Sequence, residues 1–90
     1  MSRVRVNVRG RVQGVFFRAE AEARARSLGL GGWIRNEPDG SVSAVFEGDP
    51  QRVESMVEWC RRGPSGARVE EVDVREDDDS AGAAGGFRVL

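Results

Sequence analysis

The chain has 90 residues, 39% of them hydrophobic, enough for one small domain built on a single core. A formal net charge of −1 argues against a general polyanion binder, and there is neither a membrane-length apolar run nor a signal-peptide pattern. Histidine, lysine, tyrosine and threonine are absent, which excludes Ser-His-Asp and Cys-His catalysis, Schiff-base chemistry, a histidine-ligated metal and a Walker loop.

Val4, Val6 and Val8 alternate with Arg3, Arg5, Asn7 and Arg9. Period two predicts a half-buried strand with its arginines on a solvated face. Phe17, Ala21, Ala25 and Leu28 then recur at helical spacing. They predict a helix from about Val15 to Leu28, stopped by Gly29 and the Gly31-Gly32 pair. Phe16 and Phe17 read as core residues, and Glu20 and Glu22 as surface ones, with Glu20 placed to restrain Arg18. Between strand and helix runs Gly10-Arg11-Val12-Gln13-Gly14-Val15-Phe16-Phe17-Arg18. A glycine-bounded loop from strand to helix converges its own N–H groups with the first free N–H groups of the helix, making a concave anion site. Arg18 falls in the first turn, where a cation opposes the helix dipole by a few tenths to about 1 kcal/mol. A bound anion reverses that penalty, so the segment asks for a small dianion, most simply phosphate.

Trp33 to Asn36 and Ser41 to Glu47 are strand-like runs separated by Glu37-Pro38-Asp39-Gly40, a hairpin signal. Val42, Ala44 and Phe46 are expected to face the core, with Ser41, Ser43, Val45 and Glu47 outward. Trp33 reads as packing. Asn36 by itself reads as a turn residue opening the hairpin. A second helix starts at an Asp49 N-cap followed by Pro50. It buries Val53, Met56, Val57 and Cys60, and ends at Gly63-Pro64. Cys60 is expected to fill core space. Position 66 is glycine, so no Cys-five-residues-Arg phosphatase loop exists. One cysteine forms no internal disulfide, which suits a reducing cytoplasm.

A fourth strand, about Ala67 to Arg75, carries Val69, Val72 and Val74. Residues 70–79 hold seven acids and one arginine, the pattern of a solvated strand edge and loop. Residues 76–86 turn from acidic to Gly- and Ala-rich and are expected to form a mobile loop. Phe87 and Val89 alternate in a short last strand. The order predicts an α+β, ferredoxin-like βαββαβ sandwich: an antiparallel sheet, two helices on one face and a short extra C-terminal strand, all in one domain over residues 1–90.

On these residues the chain resembles an acylphosphatase. The resemblance rests on Gly10 to Arg18, on Gly32-Trp33-Ile34-Arg35-Asn36 followed by Asp39-Gly40, and on Gly63-Pro64 followed by Ala67-Arg68-Val69. That family has the fold just inferred and hydrolyses the carboxyl-phosphate bond of acyl phosphates without metal or cofactor. The resemblance implies that Arg11, Val12, Gln13, Gly14 and Val15 bind phosphate through their backbone. Arg18 would be the phosphate-binding arginine, and Asn36 would hold the attacking water. The implied partners are a small acyl phosphate and inorganic phosphate, the latter as product and competitive inhibitor. A monomer with no nucleic-acid or membrane partner is expected.

The residues are also equal to the chemistry. A carboxylate leaving group, whose acid titrates near 4, departs without a general acid. Phosphoryl transfer passes through a loose transition state, so positioning and charge stabilisation do most of the work. Two other classes compete. An RNA-recognition module shares the strand order but needs exposed aromatics on its central strands, and the outward positions of the first and third strands offer none. A non-catalytic module that binds phosphate or carbamoyl phosphate would keep the same loop without turnover.

Overall fold

The computed structural model describes residues 1–77 and 86–90. The acidic-to-glycine segment expected to be mobile lies, over residues 78–85, outside the described residues. Seven elements follow in chain order: β1 (Ser2–Arg11), α1 (Phe17–Ser27), β2 (Gly31–Asn36), β3 (Val42–Gly48), α2 (Pro50–Arg62), β4 (Arg68–Glu76) and β5 (Phe87–Val89). The sheet runs β4-β1-β3-β2-β5. Its first four strands pair antiparallel, and β5 joins β2 in parallel. This is the expected ferredoxin-like arrangement with its extra C-terminal strand.

Alternation on β1 sends Val6 and Val8 into the core, where they meet Ile34, Val42, Ala44 and Phe46 from the neighbouring strands. Helix α1 contributes Phe17, Ala21 and Ala25, and the two alanines let it lie close on the sheet. Helix α2 contributes Val53, Met56, Val57, Trp59 and Cys60. The Asp49 carboxylate accepts from the Arg52 N–H at 3.2 Å, and Pro50 takes the first helical position, as the sequence predicts. Phe17 and Trp59 meet edge-on at 5.2 Å, which joins the two helices where α1 begins. Phe87 stacks on Phe46 at 5.6 Å, and Arg26 donates to the Phe87 carbonyl at 3.1 Å. Those contacts fasten the short last strand to both sheet and helix.

The opposite sheet face departs from the sequence reading. Ser41, Ser43 and Val45 lie on this outward face as expected, but they are buried there rather than solvated. Arg3 is ion-paired between Glu47 at 3.6 Å and Asp77 at 3.3 Å. Arg5 reaches across β3 to lie 5.3 Å over the Trp33 ring, and Arg35 lies 4.9 Å over the same ring. Val45 sits between Arg5 and Trp33 in register, beneath that stack. Asn7 donates to the hydroxyls of Ser41 and Ser43 at 3.0 and 3.1 Å. Arginine stems and cation–π contacts therefore close a face that polarity alone marks as wet. Trp33 packs, as expected, but on this second face.

Candidate active site

Strand β1 turns into the loop at a bulge between Arg9 and Gly10. A Cβ at Gly10 would run into the Arg68 carbonyl of β4, so glycine is required there by the neighbouring strand. Gly14 differs: its φ is 75° and a Cβ would meet open space, so its requirement is conformational. The chain then reaches Phe16 at φ 62°, ψ 20°, in the left-handed region. Phe16 is the N-cap of α1 and supplies no side-chain cap. The helix therefore starts at Phe17, two residues later than predicted, because residues 12–16 stay open as a loop.

The backbone consequence is a set of free donors. Among the described residues, the first N–H after the loop to find a backbone acceptor is that of Glu20, which donates to the Phe16 carbonyl at 3.0 Å. The N–H groups of Gln13 to Ala19 have no acceptor among the described residues. Loop amides followed by a helix N-terminus form a preorganised anion cradle.

Val12, Gly14, Phe16, Phe17, Arg18, Ala19 and Asn36 line one cleft of about 250 Å³. Arg18 and Asn36, far apart in sequence, thus share a site. Arg18 is half-buried in the first turn of α1. It makes no ion pair or hydrogen bond among the described residues, and the restraint expected from Glu20 does not form. Asn36 ends β2, with its Oδ1 buried and without a hydrogen-bond partner. A buried amide oxygen left unpaired costs about 1–3 kcal/mol, which calls for a use. Of the other residues implied by the resemblance, Val12 is buried and lines the cleft, and Gly14 is exposed there. Arg11, Gln13 and Val15 do not line it. Arg11 is exposed at the end of β1, and Val15 packs on the core.

Gln13 has a side-chain role that no local pattern signals. Its Nε2 donates to the Glu37 carbonyl at 2.8 Å and to the Ser41 carbonyl at 2.9 Å. The side chain ties the donor loop to the hairpin that follows Asn36. The hairpin is itself braced. Ser41 donates through its hydroxyl and its N–H to Asp39 Oδ1, at 2.6 and 2.9 Å, holding that carboxyl below the usual range. The Arg35 guanidinium, followed by the Ser43 hydroxyl, does the same for Glu37.

Phe16 also departs from the sequence reading: the residue is 78% exposed and lines the cleft rather than lying in the core. Cys60 lies in the core as expected, and burial pushes its thiol up to about 12, so it is no nucleophile near neutral pH. Among the described residues, no three His, Cys, Asp or Glu side chains gather into a metal-binding group, and no helix is long and apolar enough to cross a membrane.

The sequence matches the family model for acylphosphatase over residues 4–89. An acylphosphatase of Rubrobacter xylanophilus is 58% identical over 92% of this chain and 76% of its own length. One from a Roseiflexus species is 52% identical over 100% of this chain and 96% of its own length. The crystal structure of acylphosphatase from Bacillus subtilis superposes with a TM-score of 0.93 at 33% identity, covering 100% of this chain and 99% of that one.

Proposed function

Because the chain belongs to the acylphosphatase family and is an enzyme that hydrolyses acyl phosphates, we propose that the cleft between the donor loop and Asn36 is where it does so. The phosphate rests on the free N–H groups of the loop and of the first turn of α1, from Gln13 to Ala19. Arg18 grips two phosphate oxygens through its planar fork. Asn36 orients the water, its Oδ1 accepting one water proton while the lone pair faces phosphorus. The water oxygen forms a bond to phosphorus, and the bond from phosphorus to the acyl oxygen breaks. The electron pair leaves with the carboxylate. Among the described residues no carboxylate or other base lines the cleft, and the water's proton passes to a phosphate oxygen of the substrate. Inorganic phosphate, occupying the same cradle, inhibits competitively.

The observation that carries this reading is the unpartnered Asn36 Oδ1, buried beside the uncommitted Arg18 guanidinium. Both are costly unless a ligand completes them. The test is benzoyl phosphate hydrolysis with EDTA present, by wild type and Asn36→Ala. The wild type should turn over, and the variant should lose about 10²–10³-fold in kcat with little change in KM. A folded wild type without turnover, or a variant with unaltered kcat, would refute the assignment. Residues 1–90 acting as one monomeric domain in the cytoplasm is the setting proposed for this activity.

A further inference from the structure

Phe16 breaks three local rules at once. It is a bulky residue in the left-handed backbone region, at φ 62°, where such residues are outliers. It occupies an N-cap position that Ser, Thr, Asp or Asn would satisfy, and it supplies no cap. The residue is 78% exposed and lies outside the core. The ring pairs among the described residues, Phe17 with Trp59 and Phe46 with Phe87, leave it without an aromatic partner. Glycine would suit this backbone better, and a polar residue would suit this exposure better. Local costs of this kind cluster where a side chain meets a ligand.

Phe16 does line the cleft, together with Arg18 and Asn36. The polar work of that cleft is assigned to phosphate and water. Among the described residues, the acyl half of the substrate meets no side-chain carboxylate there and no side-chain amide apart from Asn36. The remaining lining is apolar or glycine, and Phe16 is the large exposed surface among it.

We propose, building on the phosphate site described above, that Phe16 is the acyl-selectivity residue. Its ring packs against the acyl group at the mouth of the cleft and favours flat or apolar acyl groups, aromatic ones above all, over acetyl. The left-handed backbone at this position turns the side chain out of the core and onto the site.

The experiment compares kcat/KM for benzoyl phosphate and for acetyl phosphate in wild type, Phe16→Gly, Phe16→Asn and Phe16→Tyr. Gly and Asn both tolerate the left-handed backbone, so either variant removes the ring while keeping the loop conformation. Differences in intrinsic reactivity between the two substrates cancel when the benzoyl-to-acetyl ratio of a variant is divided by that of the wild type. That quotient should fall about three- to tenfold in the Gly and Asn variants, the span of one aromatic pair. The loss should appear mainly in KM for benzoyl phosphate, and Tyr should keep the wild-type ratio. Thermal melts run in parallel should show the Gly variant at least as stable as wild type. Turnover of both substrates with an unchanged ratio in the Gly and Asn variants would overturn the acyl contact alone. Failure of the folded wild type to hydrolyse either substrate would overturn the phosphate-site reading and this inference with it.

Discussion

Arg18 offers the sharpest separation of function from stability. Its guanidinium has no protein partner among the described residues and sits at the positive end of α1. Each hydrogen bond from a charged donor to phosphate contributes about 1.5–3 kcal/mol. A bidentate fork therefore contributes about 3–6 kcal/mol, and Arg18→Ala should lower kcat/KM by about 10²–10⁴-fold. Part of the loss belongs in kcat, because the contact strengthens as charge shifts in the transition state. Arg18→Lys keeps the charge without the fork and should remain about tenfold or more below wild type. Stability should move the other way. Removing a cation from the first turn relieves about 0.3–1 kcal/mol of dipole opposition, a rise in Tm of about 1–8 °C for a domain of this size. Inorganic phosphate should raise the wild-type Tm by mass action, by up to about 2.7 kcal/mol of stabilisation at a hundredfold excess over Kd. It should barely move that of Arg18→Ala. Steady-state kinetics and thermal melts with and without phosphate test all of this. An Arg18→Ala protein that keeps its kcat/KM within about threefold but melts lower would make Arg18 a structural residue and refute the reasoning.

Gln13→Ala should lose both ties to the hairpin carbonyls, costing about 1–2 kcal/mol of stability and shifting kcat and KM together by about tenfold. Gln13→Glu should be worse, because a carboxylate would face two carbonyl oxygens. Wild-type kinetics in both variants, with only a lowered Tm, would reduce Gln13 to a structural role. Gly10→Ala should destabilise by more than about 2 kcal/mol, since its Cβ meets the β4 backbone. Gly14→Ala should cost about 1–2 kcal/mol, for backbone strain alone. Equal losses in urea titrations would contradict the distinction. At alkaline pH one group dominates, because the chain lacks lysine and tyrosine and Cys60 is raised to about 12 by burial. The unfolded thiol ionises near 8.5 while the folded one holds its proton, so the folded state binds more protons and stability falls as pH rises. Between about pH 7.5 and 10 the loss should be roughly 2 kcal/mol, and it should vanish in Cys60→Ala, as read from urea unfolding at each pH. A slope that survives in Cys60→Ala would refute it.

The element order was legible in the sequence because each element carries its own period. Val4, Val6 and Val8 mark β1, and Phe17, Ala21 and Ala25 mark α1. Asp49-Pro50 and Gly63 mark the two ends of α2. Burial of one face imposes those periods, so they can be read locally. The glycine-bounded loop and the awkward charge of Arg18 were likewise visible, since helix ends and loop amides are local objects. Contacts between distant segments carry no such signature. Gln13 tied to Glu37 and Ser41, Asn36 brought beside Arg18, and the Arg5–Trp33–Arg35 stack over Val45 depend on strand register across the sheet. Alternation places Ser41, Ser43 and Val45 on the outward face, but not their burial, which arises because long arginine stems cover surface while their charged heads stay wet. Phe16 was misplaced because hydrophobicity says how strongly a side chain avoids water, whereas a left-handed backbone decides which way it points. The elements and the anion-binding loop thus follow from local pattern. Which distant polar groups meet in the cleft, and which aromatic residue stands beside them, follow instead from strand register and backbone geometry, which no local pattern encodes.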